Sequence, residues 1–255
     1  MTQAAALRAL HVPGHPIVLP NTWDVVSAKE VEKAGFAAVA TGSGAVSATL
    51  GYRDGHGTPA EEMLAVAARI TQAVSVPVTV DMEGGYDLTP ADLARRLIDA
   101  GASGLNFEDG DHTRGEGVLD AGVQSERIAA LRGAARSDLV INARIDLWVR
   151  DVGDPAERLA HGIERARAYS AAGADSVFPI MLSDVDAIRT FVTEASAPVN
   201  IFWNPHGPTI GELADLGVSR ISFGSAVHRA ATHHVRAVLE GLRAGDDTLL
   251  RGPAG

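Results

Sequence analysis

The sequence predicts an α/β fold, a (β/α)₈ TIM barrel, on three observations. A helix-like stretch closing on a small residue and glycine, followed by a short apolar run, recurs along the chain. About eight apolar runs alternate with helical stretches, the number a barrel of this kind requires. The length of 255 residues with 46% apolar content suits one such domain and fills a substantial core. A doubly wound open sheet is the alternative assembly of the same units.

The elements follow in order. Ile17 to Leu19 is the first apolar run. Lys33-Ala34-Gly35 precedes Phe36 to Ala40, and Asp99-Ala100-Gly101 precedes Gly104 to Phe107. Ala171-Ala172-Gly173 precedes Ser176 to Phe178, and Asp215-Leu216-Gly217 precedes Arg220 to Phe223. Glycine just past a helix takes the left-handed conformation that closes it, and a continuous apolar run reads as a strand buried on both faces. Val76 to Val80 follows an amphipathic stretch from Ala60 to Ala73, and Leu139 to Ala143 follows Ser125 to Ala135. Pro198 to Phe202 follows Val185 to Glu194. Ser225 to Arg243 is predicted helical, and the segment from Ala244 to Gly255 reads as a frayed tail. No Pro/Gly/Ser-rich linker divides the chain, so residues 1–255 read as one domain.

Composition narrows the function. A net charge of −10 opposes nucleic acid and anionic membranes as partners. The absence of cysteine excludes disulfides, thiolate metal sites and cysteine nucleophiles. Met1 to Leu10 lacks the apolar core of a signal peptide, and no run of about 18 apolar residues is present. The expectation is a cytoplasmic protein.

In a barrel, chemistry gathers at the C-terminal ends of the strands. After the second run come Thr41-Gly42-Ser43-Gly44 and a loop reaching Tyr52-Arg53-Asp54-Gly55. After the third come Asp81, Met82 and Glu83; after the fourth, Glu108 and Asp109; after the fifth, Arg144 and Asp146. Asp81 and Glu83, two apart, point the same way on an extended segment. Converging carboxylates repel unless a hard cation joins them, and Mg²⁺ takes such oxygen ligands. Arg144 offers a planar fork for a carboxylate or phosphoryl group. Each acid alone also fits a helix cap. Gly42 and Gly44 fit either a tight turn or a backbone nest for an anion.

At these motifs the chain resembles the isocitrate lyase/phosphoenolpyruvate mutase superfamily. T-G-S-G-A with L-G-Y-R-D-G, then D-M-E-G-G-Y, N-F-E-D and N-A-R-I-D carry the resemblance in order, from Pro20 through Gly224. It implies a barrel whose last helix is exchanged between subunits of a homodimer or homotetramer. It implies Mg²⁺, with Mn²⁺ the alternative ion, among Asp54, Asp81, Glu83 and Glu108, with Asp81 the direct ligand. Substrate contacts fall on Thr41, Ser43, Gly44, Ala45, Asp81 and Arg144. The implied chemistry breaks or rearranges a C–C or P–C bond of a small 2-oxo or 2-hydroxy carboxylate through an enolate.

Two departures accompany the resemblance. Lyases of the family carry a lysine-lysine-cysteine-glycine loop after the fourth strand, whereas this chain has Gly110-Asp111-His112-Thr113-Arg114-Gly115-Glu116-Gly117. His112, Arg114 and Glu116 are the candidates to replace its acid/base group, since histidine titrates near neutrality. A polar family residue after the sixth strand falls on Ile180. Asn200, Asn204 and His206 follow the seventh strand, with Asn200 a candidate substrate contact. The reading is therefore a Mg²⁺-dependent carbon–carbon lyase, with arginine-clamped P–C chemistry or a metabolite-binding protein without turnover as alternatives.

Overall fold

The computed structural model describes residues 1–113 and 115–251. Arg114 lies outside the described residues. Helix α1 (Gln3–Ala9) precedes the sheet, and strands then alternate with helices as predicted. The order is β1 (Ile17–Leu19), β2 (Asn21–Thr22), α2 (Val25–Lys33), β3 (Val39–Thr41), α3 (Ser43–Leu50), α4 (Ala60–Thr71), β4 (Val78–Asp81) and α5 (Pro90–Asp99). Then come β5 (Gly104–Glu108), α6 (Ala121–Ala135), β6 (Val140–Ile145), α7 (Arg158–Ala171), β7 (Ser176–Pro179) and α8 (Val185–Glu194). The chain finishes with β8 (Asn200–Phe202), α9 (Ile210–Asp215), β9 (Arg220–Ser222), α10 (Ala226–Arg243) and α11 (Thr248–Arg251).

All strand pairs are parallel. One sheet runs β2-β3-β4-β5-β6-β7 and the other β1-β9-β8. The two join into a closed barrel. A parallel bridge between Val177 and Val199 links β7 to β8. On the other side β1 and β2 form one strand interrupted at Pro20, which has no N–H to donate to a neighbour. The first half pairs with β9 and the second with β3.

Local signals explain the boundaries. Gly35, Gly101, Gly173 and Gly217 all adopt positive φ, between 79° and 107°, as the recurring phrase predicts. Asp24, Thr89, Asp120, Asp184 and Thr209 cap helix N-termini through their side chains. Leu93 and Leu97 of α5, with Met63 and Ile70 of α4, are fully buried against Val80 and Leu105 in the layer between helices and strands. Each such side chain contributes roughly 1.5–3 kcal/mol. Truncating Leu97 to alanine is expected to cost about 2–5 kcal/mol.

Register positions the site. Asp81 pairs with Asn106, Glu108 with Arg144, and Arg144 with Phe178. The acids and arginine predicted at successive strand ends are therefore lateral neighbours around the rim.

Candidate active site

Two adjoining clefts open at the C-terminal rim. The first, of about 200 Å³, is lined by Ser43, Gly44, Asp54, Asp81, Asn106 and Arg144, with Phe178, Ile180, Phe202, Ser225 and Arg229 on its far side. The second shares Ser43, Asp54 and Arg144 and adds Glu83, Glu108, His112, Asp146 and Arg150.

Asp81 is fixed from the β3 side. Its N–H donates to Thr41 Oγ1 at 2.9 Å, and its Oδ2 accepts from Ser43 N at 3.0 Å. Its Oδ1 is buried and has no partner. A buried carboxylate oxygen left bare is costly, and a cation is the group its charge suits. Helix α3 begins at Ser43 without a side-chain cap, so the first-turn N–H groups of Gly44 and Ala45 have no intrahelical acceptor. Ala45 itself is buried and outside the cleft lining. Gly44 is a matter of space. A Cβ there would lie 2.9 Å from Asp54 Oδ2 and 3.1 Å from Ser225 Oγ.

Glu83 reaches the site differently from the sequence expectation. The segment turns rather than extends, and Glu83 takes a left-handed φ of 46°. The turn is held because Glu83 Oε1 accepts from Tyr86 OH at 2.7 Å and Oε2 accepts from His56 N. Burial raises the Glu83 carboxyl to about 7; the Tyr86 bond opposes this, and Asp81, Glu108 and Asp54 add to it. Repulsion among these acids is thus a property of the folded chain.

Glu108 is almost wholly buried, and burial raises its pKa against the pull of Arg144. Its Oε2 lies in ion-pair contact with Arg144 Nη2 but receives no well-aligned hydrogen bond. Its Oε1 meets His112 Nε2. Arg144 is gripped by Asp146, Nε to Oδ1 at 2.7 Å and Nη2 to Oδ2 at 2.9 Å. Burial opposes its charge, but Glu108 and Asp146 outweigh that and hold the guanidinium firmly protonated. Asp146 is in turn set by Asp109, whose Oδ1 accepts from Asp146 N at 2.8 Å. Tyr169 and Arg165 donate to Asp109 Oδ2 at 2.6 and 2.8 Å. This chain of supports fixes the fork before any ligand arrives.

The residues predicted from sequence divide accordingly. Asp54, Asp81, Glu83, Glu108, Ser43, Gly44, Arg144 and His112 meet at the two clefts, and Thr41 supports Asp81 from behind. His112 is not a solvated loop residue: its side chain is 10% exposed and pressed between Glu108 and His56. Glu116 is exposed and lines neither cleft. Asn200 is fully buried inside the barrel, bonded to Ser222, and is also outside both linings. Ile180 does line the cleft. Sequence reasoning missed His56, Tyr86, Arg150 and Arg229. His56 stands two residues after Asp54 and was within reach of the motif; Arg150 and Arg229 sit one helical turn beyond Asp146 and Ser225, a spacing that puts them on the same face.

The donor set suits a hard divalent cation. Asp54 and Asp81 line the first cleft and Asp54, Glu83 and Glu108 the second, and the unpartnered buried Asp81 Oδ1 is an oxygen that such a cation would satisfy.

Fold and rim together define a class: parallel barrels that gather carboxylates and an arginine at their strand ends. Comparison with known proteins gives the family. The phosphoenolpyruvate phosphomutase family model matches residues 7–243, and the chain belongs to that family. A Burkholderia cenocepacia J2315 structure, provisionally named a phosphonomutase, is 40% identical with a TM-score of 0.88, covering 93% of this chain and 99% of its own. The 2-methylisocitrate lyase of Shewanella oneidensis is 30% identical over 258 residues, 95% of this chain and 86% of the lyase. Phosphonopyruvate hydrolase, solved with oxalate and Mg²⁺, is 25% identical with a TM-score of 0.87, covering 100% of this chain and 92% of the hydrolase. Named relatives are thus enzymes, lyases and phosphonate-acting proteins among them. Among the described residues no helix is long and apolar enough to cross a membrane.

Proposed function

We propose that this protein is a Mg²⁺-dependent lyase that cleaves a C–C bond of a small 2-oxo or 2-hydroxy carboxylate, leaving an enolate. The observation that carries the reading is Asp81, whose buried Oδ1 lacks a partner beside Asp54 in the first cleft. Asp81, Glu83, Glu108 and Asp54 would hold Mg²⁺ or Mn²⁺. Bound there, the ion supplies Lewis-acid stabilisation of charge developing on a substrate oxygen. The first turn of α3, at Ser43, Gly44 and Ala45, orients the substrate carboxylate, and Arg144 clamps the substrate from β6. His112 carries the proton in or out, with Glu116 on the same loop able to approach when the loop closes.

The far wall supports carbon chemistry. Phe178, Ile180 and Phe202 are apolar and suit a carbon substituent on the bond that breaks. P–C chemistry is the second reading, favoured by Arg144, Arg150 and Arg229 around the clefts and by the phosphonate-named relatives. Incubating Mg²⁺-loaded protein with a panel of 2-oxo and 2-hydroxy dicarboxylates and with phosphonopyruvate, followed by carbon and phosphorus NMR, separates the two. Cleavage of a dicarboxylate supports the lyase. Change confined to the phosphorus spectrum assigns P–C chemistry instead, and binding without turnover of any compound sinks both.

Assembly and location follow the same reading. Helix α10 contains no buried residue and exposes Val235, Leu239 and Leu242 at helical spacing. A second copy of the chain, in a homodimer or homotetramer, is the occupant proposed for that face. Light scattering on the wild type and on Leu239→Asp tests it, a monomeric wild type being the contrary result. The net charge of −10 supports a protein without nucleic-acid or anionic-membrane partners, and the absence of cysteine fits the proposed cytoplasmic location.

A further inference from the structure

Among the described residues four asparagines are buried: Asn21, Asn106, Asn142 and Asn200. Three of them have both ends of the side-chain amide bonded within the protein. Asn21 donates to the Thr41 carbonyl and accepts from Phe223 N, both at 2.8 Å. Asn142 donates to Asn106 Oδ1 at 2.9 Å and accepts from Ser176 Oγ at 2.7 Å. Asn200 is bonded at both ends to the Ser222 hydroxyl. Asn106 differs. Its Oδ1 takes two donors, Asn142 Nδ2 and, at 3.0 Å, Arg220 Nη2, whereas its Nδ2 has no partner among the described residues. That nitrogen is not one of the sealed, unpartnered atoms, and Asn106 lines the first cleft. The bare amide N–H groups therefore face the cleft.

Arg220 imposes this orientation. It reaches across the barrel from β9 to β5 and is 1% exposed. A guanidinium only donates, so the Asn106 atom that meets it must be the oxygen. Asn142 then offers its own nitrogen to that oxygen and keeps its oxygen for the Ser176 hydroxyl. Burial lowers the Arg220 pKa to about 10 and Asp81 opposes the shift, so the group is charged at neutral pH. Its Nε and Nη1 have no partner among the described residues, which leaves Asn106 to receive its hydrogen bond. A cation on the amide oxygen polarises the amide and strengthens the opposite N–H groups as donors. Register sets the depth: Asn106 is level with Asp81 and two residues before Glu108 on β5, roughly 6–7 Å deeper along the strand.

We propose that Asn106 is a catalytic residue whose side-chain amide donates to the substrate oxygen that gains negative charge as the bond breaks, and that Arg220 is the positioning residue that turns this donor end toward the cleft. The inference rests on the lyase reading and names the protein group that meets the developing charge. The donors on the cleft walls, the first turn of α3 and Arg144, suit the substrate carboxylate. Asn106 donates from the floor, beside Asp81. When the C–C bond breaks, its electron pair passes into the fragment that becomes the enolate, and the charge comes to rest on the enolate oxygen. Asn106 gives up no proton; it holds that oxygen by a hydrogen bond that strengthens as the charge grows. A compound without an acceptor oxygen at this depth leaves the amide unpaired, which selects against it.

Oxalate stands in for the enolate, and the Mg²⁺-loaded protein is titrated with it by calorimetry. Asn106→Leu is expected to weaken oxalate roughly 10–100-fold while binding Mg²⁺ alone as the wild type does. Arg220→Lys still only donates and should keep oxalate affinity within a few fold. Arg220→Gln can also accept, frees Asn106 to turn round, and should lose about as much as Asn106→Leu. In the wild type, the NMR signal of the Asn106 side-chain amide protons should move downfield when oxalate joins the Mg²⁺ form. A structural amide does not give that readout, and it decides the matter if a variant fails to fold. Unchanged oxalate affinity in Asn106→Leu, or an amide signal that stays in place, overturns the role of Asn106 and leaves the proposed function standing. Equal affinities in Arg220→Lys and Arg220→Gln overturn the positioning role. Wild-type protein without Mg²⁺-dependent oxalate binding sinks the proposed function, and this inference with it.

Discussion

At the N-terminal end of the barrel, Asp175 accepts from Arg8 Nε at 2.7 Å and from Ile141 N at 2.8 Å, and Arg132 pairs with its second oxygen. Arg8 also donates to the Ser137 and Leu139 carbonyls. At the C-terminal end, Asp81 keeps a buried oxygen without a partner and Glu83 is raised to about 7 by its surroundings. Both clusters join distant parts of the chain, but only the first pairs its central carboxylate directly with arginines; Arg144 and Arg220 act on Asp81 only at longer range. The contrast teaches how stability and function divide in this fold. Charge balanced by fixed arginines staples α1 and α6 across the base, whereas at the rim Asp81 keeps an unpartnered oxygen where the proposed ion would bind.

The comparison breaks most sharply at Asp81. Asp81→Asn is expected to weaken Mg²⁺-dependent oxalate binding roughly 1000-fold, beyond the 10–100-fold typical of outer-sphere changes, and calorimetry reads it directly. Its melting temperature should not fall, because the repulsive charge is gone.

Next comes the base. His11 lies buried just after α1, and burial, with Arg220 adding to it, lowers its pKa to about 4. The unfolded chain takes up that proton first, near pH 6.5. Stability from His11 is therefore complete above about pH 6.5 and is lost as pH falls toward 4, by about 3 kcal/mol. Denaturant titrations across this window should show the wild type losing about 3 kcal/mol relative to His11→Asn as pH falls. Parallel curves would contradict the assignment.

Asp175→Asn should cost about 2 kcal/mol of folding stability by removing charge from two arginine bonds. Oxalate affinity should not change. A variant that loses oxalate binding without losing stability would erase the division between the two ends. The smallest effect is expected at Arg144→Lys, which keeps the charge but loses the planar fork, weakening oxalate roughly tenfold.

Much of this arrangement was legible in the sequence for a definite reason. Parallel strands put every C-terminal end on one rim, so Asp81, Glu108 and Arg144 could be placed together from their position after apolar runs. Boundaries were less exact. The runs at Phe36 and Pro198 begin three and two residues before β3 and β8; ahead of β8 the chain meets the neighbouring strand through the isolated Val177–Val199 bridge, and ahead of β3 Ala37 is exposed. The break at Pro20 was visible as a proline but not as a division of one strand between two neighbours. Glu83 was placed at the rim, yet through an extended geometry that its φ of 46° contradicts; the turn depends on the Tyr86 hydroxyl three residues on and on the backbone N–H of His56 from another loop. His56 itself went unseen because a loop's return path is set by tertiary packing rather than by periodicity.

The central claim is that the rim carboxylates await a divalent cation that completes a carboxylate-binding site. Oxalate titration of metal-stripped protein, with and without Mg²⁺, tests it in one calorimetric experiment. The account predicts one site per chain that appears only when Mg²⁺ is present and disappears in Asp81→Asn. Equal oxalate affinity in the stripped and Mg²⁺-loaded protein would contradict it.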